Sequence, residues 1–194
     1  MSRPRTLVVA LLALGVAACG GGDPEPTPSP SPTADLGALR VEYGLPECPE
    51  TDPAAVAVDG GLPQTSLPCL GTDQMVNLAG LPRKPMVVNL WAQWCGPCRE
   101  ESPWLRTAFQ HHPDVAFVGI NYNDPKPDWA LEFASLAGWR YPHVQDIDKS
   151  LQAELGVPGI PMTLFVAADG RIVHRHPGVL TGEEELDALI EEHL

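Results

Sequence analysis

Pro85-Met-Val-Val-Asn89-Leu-Trp91-Ala-Gln-Trp94-Cys95-Gly96-Pro97-Cys98-Arg-Glu-Glu101-Ser-Pro103 is the stretch that decides the fold. Its first seven residues form an apolar run broken only by Asn89, which suits a strand buried on both faces of a sheet. Beyond Trp94 the period changes. Trp104, Leu105, Ala108 and Phe109 recur at helical spacing until His111-His112-Pro113, where the residue before proline is driven out of the helical region. Two cysteines three apart therefore stand where a strand hands over to a helix. The unpaired N–H groups and the positive end of the helix dipole there stabilise a thiolate on Cys95, which makes it the nucleophile. Cys98, one turn further in, is placed to attack a mixed disulfide on Cys95 and release the partner. Pro97 suits an early helical position because its missing N–H has no intrahelical partner to lose.

Working outward, Val115-Ala-Phe-Val-Gly-Ile120 reads as a second buried strand and residues 128–138 as a second helix. A short strand is expected near residues 142–145 and a short helix near 149–155. Residues 162–167 and 171–176 alternate like strands around Asp169-Gly170, a favoured hairpin turn. Thr181-Gly-Glu-Glu184 has the form of a capping box, and the helix it opens lines up Leu186, Leu189, Ile190 and Leu194 on one face. The order β-α-β-α-β-α-β-β-α combines parallel crossovers with a terminal hairpin, an α/β sandwich. Upstream, only weak strands are expected, at Val56-Ala-Val58 and Met75-Val-Asn-Leu78.

The chain has 194 residues, 44% of them hydrophobic, enough for one domain with appendages, and its formal net charge is -13. That charge repels nucleic acid and argues against it as a partner. Arg3 and Arg5 followed by the apolar residues 6–18 read as a signal peptide, too short for a membrane-spanning helix of about 20 residues. Val16-Ala-Ala-Cys19 resembles a bacterial lipobox, which assigns residues 1–18 to a lipoprotein signal and makes Cys19 the lipidation site. Residues 19–34, rich in Pro, Gly and Ser, carry almost nothing to bury and read as a disordered tether of about 40 Å. Residues 35–59 form an N-terminal extension, and residues 60–194 the domain itself.

Trp94-Cys-Gly-Pro-Cys98 after an apolar strand, with Gly156-Val-Pro-Gly-Ile160-Pro161-Met-Thr-Leu-Phe165 ahead of another and Asp169-Gly170 in the hairpin, resembles the thioredoxin superfamily. Within it the chain is similar to the TlpA/ResA/DsbE-like membrane-tethered disulfide reductases. The resemblance implies a thioredoxin-like α/β/α sandwich with a central mixed sheet and a C-terminal hairpin plus helix. It implies no cofactor, and dithiol exchange with extracytoplasmic protein disulfides, as in cytochrome c maturation, by electrons from a membrane thiol transporter or other redox partner. It places the protein on the outer face of the bacterial cell membrane, held by its lipid; a monomer is expected. Pro161 matches the family's cis-proline beside the dithiol, although by sequence alone it is equally a trans turn proline. Trp94, Gly96, Pro97, Ile160 and Pro161 then form the substrate-facing surface, while Trp91 reads as core. Where ordinary thioredoxins carry a buried aspartate this chain has Asn89, which cannot transfer a proton. The resemblance gives that task to Glu101; the plainer reading has it decorate the first helical turn.

With Cys19 lipidated, Cys48 and Cys69 remain, and in an oxidising compartment they are expected to form a structural disulfide. The competing reading makes them a second redox pair that relays electrons to Cys95 and Cys98. No metal site is expected, because a lone C-x-x-C lacks the other two zinc ligands, and His143, His174 and His176 read as surface strand or loop positions. A disulfide-forming oxidase would use the same dithiol, and a non-catalytic metal-binding or docking module is the alternative from another class.

Overall fold

The computed structural model describes residues 35–194; the expected signal peptide, the tether and Cys19 lie outside the described residues. A short helix, α1 (Leu36–Glu42), and a two-stranded hairpin of β1 (Ser66–Pro68) and β2 (Met75–Asn77) precede the main sheet. There follow β3 (Met86–Trp91), α2 (Gly96–His111), β4 (Ala116–Tyr122), α3 (Pro127–Leu136), β5 (His143–Asp146) and α4 (Leu151–Leu155). The chain ends with β6 (Met162–Val166), β7 (Ile172–Pro177) and α5 (Glu183–His193). The sheet order is β5-β4-β3-β6-β7, with β3 parallel to β4 and β4 to β5, and with β6 and β7 antiparallel to their neighbours. This is the expected α/β/α sandwich around a mixed sheet.

Because side chains alternate along a strand, β3 divides the interior in two. Val87 and Trp91 face a core shared with α2, α3 and α5, whereas Met86, Val88 and Leu90 face a second core under α4 and the β1–β2 hairpin. Right-handed crossovers from β3 to β4 and from β4 to β5 place α2 and α3 on the same face. Trp91 anchors that face, edge-on to Trp139 at 5.1 Å and to His143 at 5.3 Å between centroids. Such aromatic pairs add about 0.5–1.5 kcal/mol beyond the area they bury. Gly119 is required here: a Cβ would lie 2.0 Å from His143 Nδ1 and 2.8 Å from Trp91 Nε1.

Several expectations fail for identifiable reasons. Val56–Val58 is not a strand; the chain just before it is held by Asn77 Nδ2, which donates to the carbonyls of Asp52 and Ala55. The N-terminal extension also holds α1, capped locally by Asp35 Oδ1, which accepts the Ala38 N–H at 3.0 Å, and docked through the Tyr43 carbonyl after it, which accepts from Ser135 Oγ and Arg140. The capping partner of Thr181 is Glu185, not Glu184. Glu185 Oε2 accepts from both the Thr181 N–H and its hydroxyl, since the helix starts one residue later than the motif implies. His143 is buried rather than on the surface, because β5 is covered by the aromatic layer on one side and by the chain around Cys69 on the other. Its burial, with the charge of Arg40 as a smaller cause, pushes its pKa down to about 3.

Candidate active site

The parallel strand β3 delivers the chain to its C-terminal edge, the end at which open α/β sheets present their sites. Cys95 is the N-cap of α2 with an extended backbone, and its own N–H donates to Ala92 O at 3.1 Å. In return Cys95 Sγ accepts the Cys98 N–H at 3.2 Å, so an otherwise unpaired helix-start donor is aimed at the sulfur. Cys95 and Cys98 are joined, S–S 1.99 Å, and both are buried in the oxidised ring while Gly96 and Pro97 between them are exposed. Trp94 stands half exposed beside the ring and donates from Nε1 to Asn123 O at 3.1 Å.

Pro103 sits inside α2 and has no N–H for the Arg99 carbonyl. Ser102 Oγ donates to that carbonyl instead, at 2.9 Å, which lets the helix continue past the proline. The Arg99 guanidinium turns back to the Gln93 carbonyl and lies 4.7 Å over the Phe133 ring.

Glu101 follows one turn after Cys98 on the same helix and is 0% exposed. Its Oε2 accepts the Leu180 N–H at 3.0 Å, and its Oε1 is buried with no hydrogen-bond partner. Burial raises its pKa to about 7 against the opposing pull of the Leu180 N–H. The same carboxylate helps burial to push the Tyr141 hydroxyl well up, and that hydroxyl donates to Asn89 Oδ1 at 3.3 Å. Asn89, Tyr141 and Glu101 thus form a buried polar seam in the core that also holds Cys95 and Cys98. Glu101 and Tyr141 are its titratable groups, and Asn89 has none.

The Ile160–Pro161 bond is cis, and β6 begins immediately after it. Pairing of Met162 with Leu90 brings Pro161 level with the end of β3, and its carbonyl accepts the Gly178 N–H at 3.0 Å. Ile160 packs on the core that contains Cys95 and Cys98. Cys48 and Cys69 are joined as well, S–S 2.07 Å, but in the core on the opposite face of the sheet. Cys69 bridges to Val144 at the β5 edge, so the pair covers that edge with the N-terminal extension.

Asp124, whose Oδ2 accepts the Gln93 N–H at 2.8 Å two residues before Cys95, does not stand out in the sequence, and neither do Tyr141 and Leu180. Asp124-Pro125 looks like ordinary turn chemistry, and a backbone N–H such as that of Leu180 leaves no trace in residue type. Among the described residues, His111, Glu183 and Asp187 bring potential metal-ligand atoms within 4.8 Å of one another. They lie at the far end of α2 from the dithiol, and Asp187 already engages His112 at 2.9 Å. No described helix is long and apolar enough to cross a membrane.

A model of the Redoxin family matches residues 57–190. The thiol:disulfide interchange protein DsbE of Allochromatium vinosum is 32% identical over 153 residues, which span 76% of this chain and 83% of that protein. The protein of the same name from Pseudomonas fluorescens biotype C is 37% identical over 121 residues, 61% of this chain; the match spans 65% of its own length, just under two thirds. Among solved structures, a secreted Mycobacterium tuberculosis disulfide oxidoreductase homologous to E. coli DsbE superposes with a TM-score of 0.59. It is 27% identical and covers 66% of this chain and 96% of its own.

Proposed function

The chain belongs to the Redoxin family as a DsbE-like protein of the thioredoxin superfamily, and from that premise we propose that it is a thiol–disulfide oxidoreductase acting outside the cytoplasm. The observation that carries the reading is the pairing of a helix-start N–H with Cys95 Sγ, one turn from a buried carboxylate whose pKa is about 7. In the reducing direction, the Cys95 thiolate attacks one sulfur of a partner disulfide. An S–S bond forms between Cys95 and the partner, and the partner's other sulfur leaves as a thiolate. Cys98 then passes its proton to Glu101 and attacks Cys95 Sγ. The second partner sulfur departs, the proton is returned to it, and the Cys95–Cys98 disulfide holds the oxidation the partner has lost. Two electrons move from dithiol to partner.

Trp94, Gly96, Pro97, Ile160 and Pro161 border this chemistry as the surface for an extended substrate segment. The placement of the Cys48–Cys69 pair across the sheet supports a structural role, because a relay to Cys95 would have to cross the core. The lipobox-like run around Cys19 supports a lipid-anchored protein on the extracytoplasmic side of the membrane. The DsbE-like kinship supports a membrane thiol carrier as the source of reductant and apocytochrome c among the substrates.

The test has two arms. Cys98→Ser in cells should accumulate mixed disulfides whose partners are identified by mass spectrometry, and Cys95→Ser should accumulate none. Acid quenching and thiol alkylation should find wild-type Cys95 and Cys98 reduced at steady state. A predominantly oxidised pair would overturn the reductase direction in favour of disulfide formation.

A further inference from the structure

Asp124, in the loop between β4 and α3, is 0% exposed, and among the described residues no lysine or arginine forms a salt bridge with it. Three N–H donors hold the carboxylate instead. Oδ2 accepts the Gln93 N–H at 2.8 Å and Asn121 Nδ2 at 3.0 Å, and Oδ1 accepts the Lys126 N–H at 3.2 Å. Hydrogen bonds to an ionised acceptor are the strong kind and offset much of the desolvation of a buried charge. Asn121 and Lys126 belong to the carboxylate's own strand end and loop, but Gln93 comes from a different part of the chain and stands two residues before Cys95. Trp94 ties the same two loops a second time through Asn123 O. Asn123 adopts a positive φ of 51°, uncommon for a residue with a side chain, and its N–H is held by Asp146 O at 2.8 Å. The loop is therefore turned so that Asp124 points inward at the approach to the dithiol.

We propose that Asp124 is a positioning residue for Cys95: its carboxylate anchors the Gln93–Trp94 backbone to the β4–α3 loop and so holds the turn that aims Cys95 Sγ at the Cys98 N–H. The inference rests on the reading of Cys95 as nucleophile. A donor aimed at sulfur favours the thiolate only while the angle and distance are kept. If the turn loosens, Cys95 becomes a weaker acid. The charge of Asp124 acts in the opposite sense, because a carboxylate near a thiolate disfavours it. Among the described residues, the charged side chains that the neighbouring elements carry, Arg99, Glu100 and Glu101 on α2 and Lys126 on the facing loop, all remain in an Asp124 variant. Positioning and plain electrostatics thus predict opposite signs for the same substitution.

Asp124→Asn is nearly isosteric and separates the two. Both carboxylate oxygens accept, whereas an amide offers one oxygen and one NH2, so in either orientation an N–H is set against an N–H. The measurement is the rate of Cys95 alkylation by iodoacetamide against pH, in reduced full-length protein carrying Cys98→Ser. Asp124→Asn should move the midpoint upward and slow alkylation at neutral pH by at least about fivefold, with the limiting rate at high pH within about twofold of the parent. An unmoved or lowered midpoint overturns the positioning role. Should Asp124→Asn fail to fold, Asn121→Ala decides: it withdraws one donor from Oδ2 with the charge intact, and should raise the midpoint by a smaller amount; no rise overturns the proposal. Wild-type protein that neither reduces insulin nor forms mixed disulfides would overturn the oxidoreductase reading itself. An active wild type with an unshifted Asp124→Asn midpoint would overturn only the role of Asp124.

Discussion

The Glu101 carboxylate accepts the Leu180 backbone N–H at 3.0 Å, which fastens a side chain one turn along α2 from Cys98 to the loop between β7 and α5. One oxygen is thereby committed to holding the group in place. The other, Oε1, is buried and unpaired, and a pKa of about 7 lets it take and return a proton near neutral pH.

Glu101→Gln should slow resolution of a mixed disulfide by Cys98 about a hundredfold, the range of a positioned general base. In wild-type protein the rate of this step should rise with pH through about 7 as the carboxylate ionises. That inflection should vanish in the variant, while Glu100→Gln, exposed on α2, should keep it. Stopped-flow release of a chromogenic thiol from Cys95 is the measurement, and identical profiles for wild type and Glu101→Gln would return Glu101 to a merely structural place.

Glu101 and His143 should tilt stability in opposite directions with pH. A carboxyl raised from 4.5 to about 7 binds its proton more tightly when folded, so its contribution falls as pH rises from about 4.5 to 7 and stays low above. Roughly 3 kcal/mol is at stake. His143, lowered from 6.5 to about 3, must be neutral when folded, so its contribution is full above pH 6.5 and is lost as pH falls toward 3. That loss is on the order of 5 kcal/mol. Urea titrations across pH should show Glu101→Gln gaining on wild type above pH 7, and His143→Phe flattening the acid limb. If neither variant changes the slope in its own window, the two groups are not coupled to folding.

Replacing both Cys48 and Cys69 by alanine should lower stability by about 3 kcal/mol in the chain-entropy model, for a sequence separation of 21. Insulin reduction by the folded variant at low temperature should match wild type. A loss of turnover without loss of fold would restore the electron-relay reading.

Cys19→Ala should move the protein from the membrane fraction to the soluble extracytoplasmic fraction, the expectation for an acylated anchor at that residue. Retention in the membrane fraction would show that something else holds it there.

Local chemistry makes much of this protein legible from the order of its residues. A strand-to-helix switch of period around Cys95-Gly-Pro-Cys98 needs no distant contact to be read, since the apolar run of β3 and the helical spacing of α2 are properties of consecutive residues. The order of the main elements and the hairpin at Asp169-Gly170 follow for the same reason. The N-terminal segment is not legible in this way. Val56–Val58 looks like a strand, but the chain just before it is held by Asn77, well along the sequence, and the carbonyl that follows α1 is docked by Ser135 and Arg140. His143 has the polarity of a surface residue, yet Gly119 leaves room for its ring beneath Trp91, so it is buried and neutral. Sequence spacing puts Glu101 on the face of α2 that holds Cys98, but only burial and the Leu180 N–H give it a pKa of about 7. Asp124 is the extreme case: a turn residue by type, it becomes a buried anchor because the tertiary fold brings Gln93 within 2.8 Å of it. Covalent spacing determines which groups can share a strand or a helix face; the distribution of water, and hence of proton affinity, is settled only when distant segments close over them.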